Sequence, residues 1–337
     1  MTKAFLIGGP GNISTTTVDV LLKKKAKVAI FTLPDAPAGE QESLVRFYRG
    51  NRDNPSQLGE ALADFKPDVV IDFCCFVPAQ AEKLYPLLKG KVGHFIFVST
   101  VDVYGYPLTR LPFAETDQWN PPNCQYASDK RKIEDFYWPK LDQKAFPLTV
   151  VRPSYSFGNS FVLSFFSRAG GRAMIPRLRA GMPILVPGDG TTLLHTSVAF
   201  NTGRMVGTIA GEAKTIGKSY TCGHETFQCH DDYVRVFARV LGVEPVFVHV
   251  PSDVLLTLDD PVIKEILPNL SKFNIAFSVD AFKKDFPSFK WEMSLEEAAR
   301  RYIEHHDRAG SFADVKEEIF EDRVIRAWKK AIGGFRV

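Results

Sequence analysis

Residues 4–14 read Ala-Phe-Leu-Ile-Gly-Gly-Pro-Gly-Asn-Ile-Ser: a short apolar run, three glycines close together and the start of a helical pattern. In a strand–glycine–helix unit, glycine lets the backbone approach a pyrophosphate, and the helix N-terminus offers free N–H groups and a partial positive charge. Ser14 takes the place of a third glycine and is small enough for close helix packing. A glycine cluster alone also suits an ordinary tight turn, but its position between strand and helix favours a dinucleotide site. The predicted contacts are Gly8, Gly11, Asn12 and Ile13.

Short apolar runs recur further along the chain, and helical patterns separate several of them. The runs lie at 27–32, 68–73, 94–99 and 147–152, and the helical patterns at 13–25, 56–64, 78–89 and 125–138. Continuous apolar strands that alternate with helices indicate a parallel sheet covered on both faces. The sequence therefore predicts an α/β fold with a doubly wound parallel Rossmann-type sheet.

The alternation of strands and helices weakens after residue 155. Residues 181–190 are interrupted by glycine and proline, and two amphipathic helical patterns close the chain at 294–333. We therefore predict a dinucleotide-binding Rossmann domain over residues 1–155. Residues 156–337 are predicted to form a smaller, mainly substrate-binding lobe, with elements that return to the main sheet and a C-terminal helical extension.

Composition limits the partners of this chain. Its 337 residues are 45% hydrophobic and 24% charged, with a formal net charge of +3 at pH 7. The near-neutral charge and the lack of a long Lys/Arg block argue against a nucleic-acid partner. No apolar run reaches the roughly 18 residues that span a membrane, so no membrane partner is predicted.

The five cysteines form no disulfide pattern, since Cys74 and Cys75 are adjacent and Cys124 is isolated. We therefore expect a reducing, cytoplasmic location. The segment 222–230 contains two cysteines and two histidines, but their spacing fits no familiar zinc site. No metal is predicted.

The run at 27–32 ends in Thr32, where an open α/β sheet contacts the adenosine ribose. An acidic residue there favours NAD, and a nearby basic residue favours NADP. Thr32 is uncharged, Asp35 follows three residues later, and no Arg or Lys occurs between residues 33 and 45. We therefore predict NAD as the cofactor, contacted by Thr32, without excluding NADP.

Tyr126 and Lys130 share one face of a predicted helix, because residues four apart in a helix are neighbours. Upstream, the strand at 94–98 ends in Ser99 and Thr100. The carboxyl end of a strand is where an open α/β sheet binds its ligand. We therefore predict that Thr100, Tyr126 and Lys130 meet at one site, with Ser99 and Lys130 beside the cofactor.

These side chains suit the oxidation of an alcohol or the reduction of a ketone. A free tyrosine has a pKa of about 10, so Tyr126 needs help to act as a base at neutral pH. The Lys130 ammonium would stabilise the phenolate and hold a nicotinamide ribose hydroxyl, while Thr100 would hold the substrate oxygen. Hydride would pass to or from the nicotinamide. The same Tyr-x-x-x-Lys spacing at 85–89 lies within a helix and is interpreted as surface packing.

Together these motifs resemble the extended short-chain dehydrogenase/reductase family, in its NAD-dependent epimerase/dehydratase branch and, within it, a poorly characterised bacterial-type subgroup. The resemblance covers nearly the whole chain. It also rests on residues 98–105, 151–153, 188–190, 233–250 and 294–298. It implies that Asp53 approaches the adenine and that the turn 152–156, with Pro153 and Tyr155, lines the nicotinamide.

The resemblance also implies a homodimer. In the family, the helices that correspond to 78–89 and 125–138 often form a four-helix contact between subunits. Phe136, Tyr137 and Trp138 would supply aromatic side chains to that contact or pack inside the protein.

One departure from the family pattern bears on the substrate. Sugar-nucleotide epimerases of the family usually present an arginine shortly after the turn that is Gly188-Asp-Gly190 here, and this chain has Thr191-Thr-Leu-Leu-His195 instead. A bidentate arginine is hard to replace in phosphate recognition. The arginines that could take its place are Arg177, Arg179 and Arg204.

A second departure bears on the reaction. Dehydratases of the family carry an Asp-Glu pair directly after the threonine, and the chain has Val101 and Asp102 there, so dehydration is less expected. Asp102 is either a second catalytic acid/base or the cap of the following turn. The predicted substrate contacts are Thr100, Asp102, Cys124, Arg179 and His195. His195 is equally typical of a buried, hydrogen-bonded histidine.

The sequence thus predicts an NAD(P)-dependent oxidoreductase or epimerase that acts on a hydroxyl of a sugar or sugar nucleotide. A dehydrogenase and an epimerase share the first half-reaction, so both stay open, as does a non-sugar hydroxylated substrate. The alternative of another class is a non-catalytic dinucleotide- or RNA-binding regulator on the same fold. The presence of both Tyr126 and Lys130 and the lack of a basic, aromatic-rich surface run argue against it.

Overall fold

The computed structural model describes all residues except 38, 40, 160, 161, 164, 166–171, 316–318 and 335–337. Among the described residues, the strands are β1 (Lys3–Ile7), β2 (Lys27–Thr32), β3 (Arg46–Arg49), β4 (Val69–Asp72), β5 (His94–Val98), β6 (Leu148–Pro153), β7 (Tyr155–Phe157), β8 (Ile184–Pro187), β9 (Leu193–Leu194), β10 (Thr196–Val198), β11 (Ser219–Cys222), β12 (Gln228–Cys229) and β13 (Phe247–Val250). The helices are α1 (Ser14–Lys23), α2 (Pro55–Phe65), α3 (Pro78–Leu88), α4 (Gln125–Tyr137), α5 (Met174–Arg179), α6 (Ala199–Ile209), α7 (His230–Leu241), α8 (Ser252–Leu255), α9 (Pro261–Ile266), α10 (Asp280–Asp285), α11 (Leu295–Ala309) and α12 (Phe320–Gly333).

Seven strands form one parallel sheet in the order β11-β6-β5-β4-β1-β2-β3. The strand order reverses at β1, because β2 and β3 lie on one side of it and β4, β5 and β6 on the other. In such a sheet, the crevice beyond the carboxyl ends of the strands at the reversal point is the ligand site. The predicted doubly wound parallel sheet is confirmed.

Strand β3 was not predicted from the sequence. Its four residues, Arg46–Arg49, begin and end with arginine and contain no continuous apolar run, so apolar periodicity did not reveal it. It forms an edge of the sheet, where charged side chains are well tolerated. Its pairing with β2 sets Arg49 opposite Thr32.

Two apolar layers cover the sheet. Side chains alternate along each strand, so in β1 Phe5 joins one layer and Leu6 the other. Helices α2, α3 and α4 close the Phe5 layer, and α1 and α6 close the Leu6 layer. This burial on both faces is why the central strands are continuous apolar runs in the sequence.

Helix α6 approaches α1 closely at two glycines. A Cβ at Gly203 would lie 2.4 Å from the carbonyl oxygen of Ile13, and a Cβ at Gly207 would lie 2.7 Å from the Val20 Cβ. The Thr17 hydroxyl donates to the Gly203 carbonyl oxygen at 3.1 Å. The start of α1 is therefore held firmly beside the glycine-rich turn.

Part of the C-terminal half returns to the main sheet, since β11 pairs with β6. Other C-terminal elements, including β8, α7, α11 and α12, enclose a separate apolar core. The division at residue 155 stays a prediction. Helices α11 and α12 occupy the predicted helical stretch 294–333, and residues 316–318 between them lie outside the described residues.

No helix in the described ranges is long and apolar enough to cross a membrane.

The aromatic residues considered for a subunit contact pack at least partly inside the protein. Tyr137 is fully buried, with its ring centre 5.2 Å from that of Phe95. Phe136 lies edge-on to Tyr85 at 6.1 Å, and Tyr85 also packs edge-on against Phe146 at 4.9 Å. These contacts join α3 to α4 within one chain, and the homodimer stays a prediction.

Candidate active site

The glycine-rich turn joins β1 to α1 at the reversal point of the sheet. Gly8 and Gly9 have φ values of +94° and +129°, which other residues rarely adopt. Helix α1 begins with neither a capping side chain nor an acidic residue in its first turn. The positive end of α1 is therefore not neutralised by a side chain of its own first turn, which fits the pyrophosphate of a dinucleotide. The predicted contacts Gly11, Asn12 and Ile13 lie at this end of the helix.

Two buried hydroxyls at the carboxyl ends of β5 and β6 also point to a ligand. Ser99 and Ser154 are each 4% exposed, and their Oγ atoms have no hydrogen-bond partner in the described part of the chain. A buried hydroxyl without a partner costs free energy, so a ligand that completes these bonds would be stabilised. The predicted nicotinamide contacts Pro153 and Tyr155 flank Ser154.

The predicted adenosine contacts lie near the ends of β2 and β3. Thr32 is 8% exposed at the last position of β2. The Asp53 carboxylate accepts a hydrogen bond from the Gln80 amide at 2.9 Å, and the Asp53 carbonyl accepts one from Lys83 at 3.2 Å. Helix α3 thus holds Asp53, and its contact with the adenine stays a prediction.

A buried ion pair beside the glycine turn escaped the sequence analysis. Arg52 donates to Asp72 at 2.8 Å, and their side chains are 9% and 0% exposed. Burial alone would lower the pKa of Arg52, but Asp72 and the neighbouring cysteines raise it above its ordinary value. Burial, reinforced by Asp72, raises the pKa of Cys74 to about 11. The Cys74 thiol therefore stays protonated at neutral pH.

Thr100, Tyr126 and Lys130 come together at the carboxyl end of β5. Lys130 projects from α4, is 1% exposed and donates to the Val98 carbonyl oxygen at 2.9 Å. Its Nζ lies 5.9 Å from the centre of the Tyr126 ring. Thr100 is close enough to influence the pKa of the Tyr126 hydroxyl, and Tyr126 remains 41% exposed. One face of α4 and one strand end therefore bring together the three residues selected from the sequence.

The pKa values of Lys130 and Tyr126 are shifted in directions that the sequence did not predict. Burial lowers the pKa of Lys130 to about 8, although nearby Asp72 acts in the opposite direction. The pKa of Tyr126 is raised, first by burial of its hydroxyl and then by Asp102, while Thr100 opposes the shift. Lys130 does not produce the expected lowering of the tyrosine pKa in this geometry. Tyr126 therefore holds its proton at neutral pH.

Asp102 belongs to a buried hydroxyl network. Its Oδ1 accepts hydrogen bonds from Tyr155 at 2.7 Å and Tyr106 at 3.1 Å, and its Oδ2 accepts one from Thr100 at 3.2 Å. The pKa of Asp102 is raised above its ordinary value, because burial outweighs the opposing effect of the hydrogen bonds from these hydroxyls. The cap of the turn Val101–Tyr104 is Thr100, not Asp102.

This network bears on two predictions. Asp102 is 6% exposed with both oxygens engaged, so the arrangement does not support a direct acid/base role toward a substrate. The Tyr155 hydroxyl donates to Asp102, and the contact of Tyr155 with the nicotinamide stays a prediction. Tyr155 is 53 residues from Asp102 along the chain, so no local spacing in the sequence could reveal their contact.

His195 is a structural histidine. It is fully buried, its Nδ1 accepts from the Phe277 N–H at 2.9 Å, and its Nε2 donates to the His224 carbonyl oxygen at 2.8 Å. Burial lowers its pKa to about 4, so the ring is neutral. Of the two interpretations of His195, the structure shows the buried, hydrogen-bonded one, and the substrate contact is not supported.

Each arginine considered as a diphosphate clamp is bound to a carboxylate. Arg179 donates to both oxygens of Asp307 at 2.7 and 2.6 Å. The partners of the other two are Asp322 for Arg177 and Glu292 for Arg204. A guanidinium so engaged would have to give up its ion pair to hold a phosphate. The predicted substrate contact of Arg179 is therefore not supported.

The cysteines of the site show no sign of activation. Cys124 is half-buried two residues before Tyr126, and burial raises its pKa. Its contact with a substrate stays a prediction.

In the segment 222–230, Cys222 is buried and Cys229 donates a hydrogen bond to Asp232 at 3.3 Å. Among the described residues, no group of three or more His, Cys, Asp or Glu could hold a metal ion.

A second buried ion pair anchors the helix that carries Tyr126 and Lys130. Arg152 in β6 donates to both oxygens of Glu134 in α4, at 3.0 and 2.6 Å. The two side chains are 2% and 1% exposed. The family resemblance placed Arg152 in a turn that lines the nicotinamide, but its side chain faces α4 instead.

A reversed parallel sheet, a glycine turn at its reversal point and a Thr–Tyr–Lys group at the end of β5 define an enzyme of the short-chain dehydrogenase/reductase type. The sequence profile of the NAD dependent epimerase/dehydratase family matches residues 4–195. The chain belongs to this family of NAD-dependent enzymes. The resemblance inferred from the motifs is confirmed.

Known proteins support this assignment. The 2′-dehydrokanamycin reductase of Streptomyces kanamyceticus is 31% identical over 133 residues, and the match spans only 37% of that protein and 40% of this chain. The dTDP-glucose 4,6-dehydratase of Bacillus anthracis, solved with NAD, is 17% identical with a TM-score of 0.71, over 91% of this chain and 97% of that chain. The UDP-glucuronic acid 4-epimerase of Bacillus cereus is 17% identical with a TM-score of 0.69, over 91% of this chain and 100% of that chain. The two structures share the fold.

Proposed function

We propose that the protein interconverts a ketone and an alcohol on a sugar derivative, with Tyr126 exchanging the proton. The observation that carries this proposal is the grouping in which Tyr126 lies beside Thr100 and its ring centre lies 5.9 Å from the Lys130 Nζ. The nicotinamide supplies or accepts the hydride when it is bound. Tyr126 donates or takes the proton at the substrate oxygen, which Thr100 holds in place. The Lys130 ammonium stabilises the phenolate and holds the nicotinamide ribose.

The surroundings of Tyr126 favour reduction as the working direction. Burial and Asp102 keep the tyrosine protonated, so it can donate the proton that a ketone oxygen needs as it becomes an alcohol. Oxidation would require Tyr126 to lose that proton beside a buried carboxylate. The related protein is a reductase, which supports the same direction.

The engaged arginines favour a substrate without a diphosphate. Arg177, Arg179 and Arg204 are each held by a carboxylate of the C-terminal half. A sugar nucleotide would need a replacement for the usual bidentate clamp. We therefore propose a non-nucleotide sugar derivative, in line with the 2′-dehydrokanamycin named for the related reductase.

The proposal is tested with purified protein in two steps. Denaturing extraction and mass spectrometry show which dinucleotide, if any, the protein retains. The protein is then given reduced dinucleotide with keto forms of free and amino-substituted sugars or, separately, with nucleoside-diphosphate sugars. Consumption of the reduced dinucleotide with the first set alone supports the proposal.

Other outcomes separate the remaining alternatives. Stoichiometric retained dinucleotide together with isomerisation of a nucleoside-diphosphate sugar would establish an epimerase with an internal redox cycle. Dinucleotide binding without turnover of either substrate set would favour the non-catalytic regulator. Either result would overturn the reductase proposal.

Binding of the dinucleotide is expected to weaken by about 3- to 10-fold as the pH rises through about 8, because a charged donor makes the stronger hydrogen bond. Burial lowers the pKa of Lys130 to about 8. Lys130 is thus charged below this pH and neutral above it, whereas an exposed lysine keeps its charge to about pH 10.4. The dissociation constant of NADH, measured on both sides of pH 8, tests this expectation.

The matched variant for this titration is Lys130→Met. It is expected to bind NADH more weakly at every pH and to show no change near pH 8. The same pKa shift affects the free energy of unfolding. Below pH 8 the buried Lys130 ammonium lowers this free energy, and the loss becomes smaller as the pH rises from about 8 toward the unfolded-state pKa of about 10.4. An affinity that is constant across this range, or an equal decline in the variant, would exclude Lys130 as the titrating group.

A further inference from the structure

The end of β2 receives a basic side chain from the neighbouring strand. Strand β3 pairs with β2 so that Arg49 lies opposite Thr32. The Arg49 Nη1 donates to the carbonyl oxygen of Leu33 at 3.2 Å and also to that of Ala36. The guanidinium therefore lies against the turn that follows β2, where this type of sheet contacts the adenosine ribose.

Arg46 and Arg52, the arginines before and after Arg49 in the sequence, each form an ion pair, whereas Arg49 forms none with the described residues. Arg46, on the same strand, pairs with Asp64 at 2.7 Å, and Arg52 pairs with Asp72 at 2.8 Å. No carboxylate in the described ranges forms an ion pair with Arg49, which is exposed and otherwise lies over the Phe47 ring. Its two observed hydrogen bonds use one nitrogen, and a guanidinium has five N–H donors.

Thr32 leaves this position without negative charge. An acidic residue at the end of β2 would hold the ribose 2′-hydroxyl and repel a 2′-phosphate. Thr32 carries no charge, and Asp35, the next acid along the chain, is exposed in the turn and forms no ion pair with Arg49. Arg49 therefore brings a positive charge to the end of β2, where Thr32 supplies no negative one, and Asp35 lies three residues further along the turn.

We propose that Arg49 binds the 2′-phosphate of NADPH, so that this member of an NAD-dependent family binds the phosphorylated dinucleotide more tightly than NADH. The planar guanidinium matches the geometry of a phosphate and forms charge-assisted hydrogen bonds with it. This inference requires only the dinucleotide site and is independent of which substrate the enzyme reduces.

The test is a titration of the purified protein with NADPH and NADH, followed by the fluorescence of the reduced nicotinamide. Wild-type protein is expected to bind NADPH more tightly. Arg49→Ala is expected to weaken NADPH binding by about 10- to 100-fold, the effect of losing hydrogen bonds to a charged group, and to leave NADH binding nearly unchanged. Arg49→Glu is expected to reverse the preference.

Arg46→Ala is the matched control, because it removes an exposed arginine from the same strand. It is expected to change neither affinity, and thermal unfolding curves establish that both variants are folded. Equal affinity of wild-type protein for the two dinucleotides, tighter binding of NADH, or an equal loss for both dinucleotides in Arg49→Ala would overturn the proposal. Binding of neither dinucleotide would overturn the dinucleotide site itself, whereas binding without turnover would overturn only the proposed reaction.

Discussion

Replacement of Tyr126 by phenylalanine is expected to lower kcat by about 10²- to 10⁴-fold, the usual contribution of a positioned acid or base, and to leave dinucleotide affinity nearly unchanged. The variant removes only the Tyr126 hydroxyl, which lies near Thr100. The aromatic ring and its position 5.9 Å from the Lys130 Nζ are retained. Steady-state kinetics and a fluorescence titration with reduced dinucleotide separate the two effects.

Tyr85→Phe is the matched control, because Tyr85 precedes Lys89 with the same spacing as Tyr126 precedes Lys130. The Tyr85 ring packs edge-on against Phe146, so its role is in packing. This variant is expected to keep the wild-type kcat. A near wild-type kcat in Tyr126→Phe would remove Tyr126 from the mechanism. An equal loss in both variants would also contradict the proposed role, since it would indicate a general effect on folding.

Replacement of Glu134 by alanine is expected to lower the free energy of unfolding by about 3–5 kcal/mol, the cost of leaving one partner of a buried ion pair without its counterion. The Arg152 guanidinium is buried and gives two hydrogen bonds to Glu134. In the variant, it would keep only its bonds to Tyr104 and Ser219. Urea denaturation followed by circular dichroism measures the change.

The control for this variant is an ion pair of similar geometry on the surface. Asp307→Ala removes the carboxylate that accepts two hydrogen bonds from Arg179, and these side chains are 43% and 40% exposed. Solvent screening limits the expected loss to at most about 1 kcal/mol. If Glu134→Ala cost no more than Asp307→Ala, burial would not give the pair the importance that we assign to it.

The predicted site residues that the structure brings together were selected from signals that extend over a few residues. The glycine turn requires only a strand, glycines and a helix in succession, and residues 4–23 contain all three. Tyr126 and Lys130 are four residues apart, so any helix through them places both on one face. Thr100 followed from the rule that ligands lie at the carboxyl ends of parallel strands.

The unsupported predictions concerned side chains whose partners are distant in the sequence. His195 is held by the backbone of Phe277, and Arg179 by Asp307. Asp102 accepts a hydrogen bond from Tyr155, which lies on strand β7. A local pattern identifies a polar residue but not the group that it meets, so these three residues looked available for a substrate.

The charges beside the end of β2 were also hidden from the sequence. The absence of Arg and Lys between residues 33 and 45 favoured NAD. The arginine that lies beside the end of β2 belongs to β3, a strand with no apolar signal, and only strand pairing brings Arg49 opposite Thr32.

By itself, the sequence determined the parallel α/β fold, the place of the glycine turn and the common helix face of Tyr126 and Lys130. Apolar periodicity and helical spacing act over a few residues, so a linear pattern records them. Only the tertiary structure decided which charged groups meet, as with Arg152 and Glu134 in the core and Arg49 at the end of β2. Burial and strand pairing select those partners across long separations in the chain, and the energy of each pair depends on surroundings that no short segment contains.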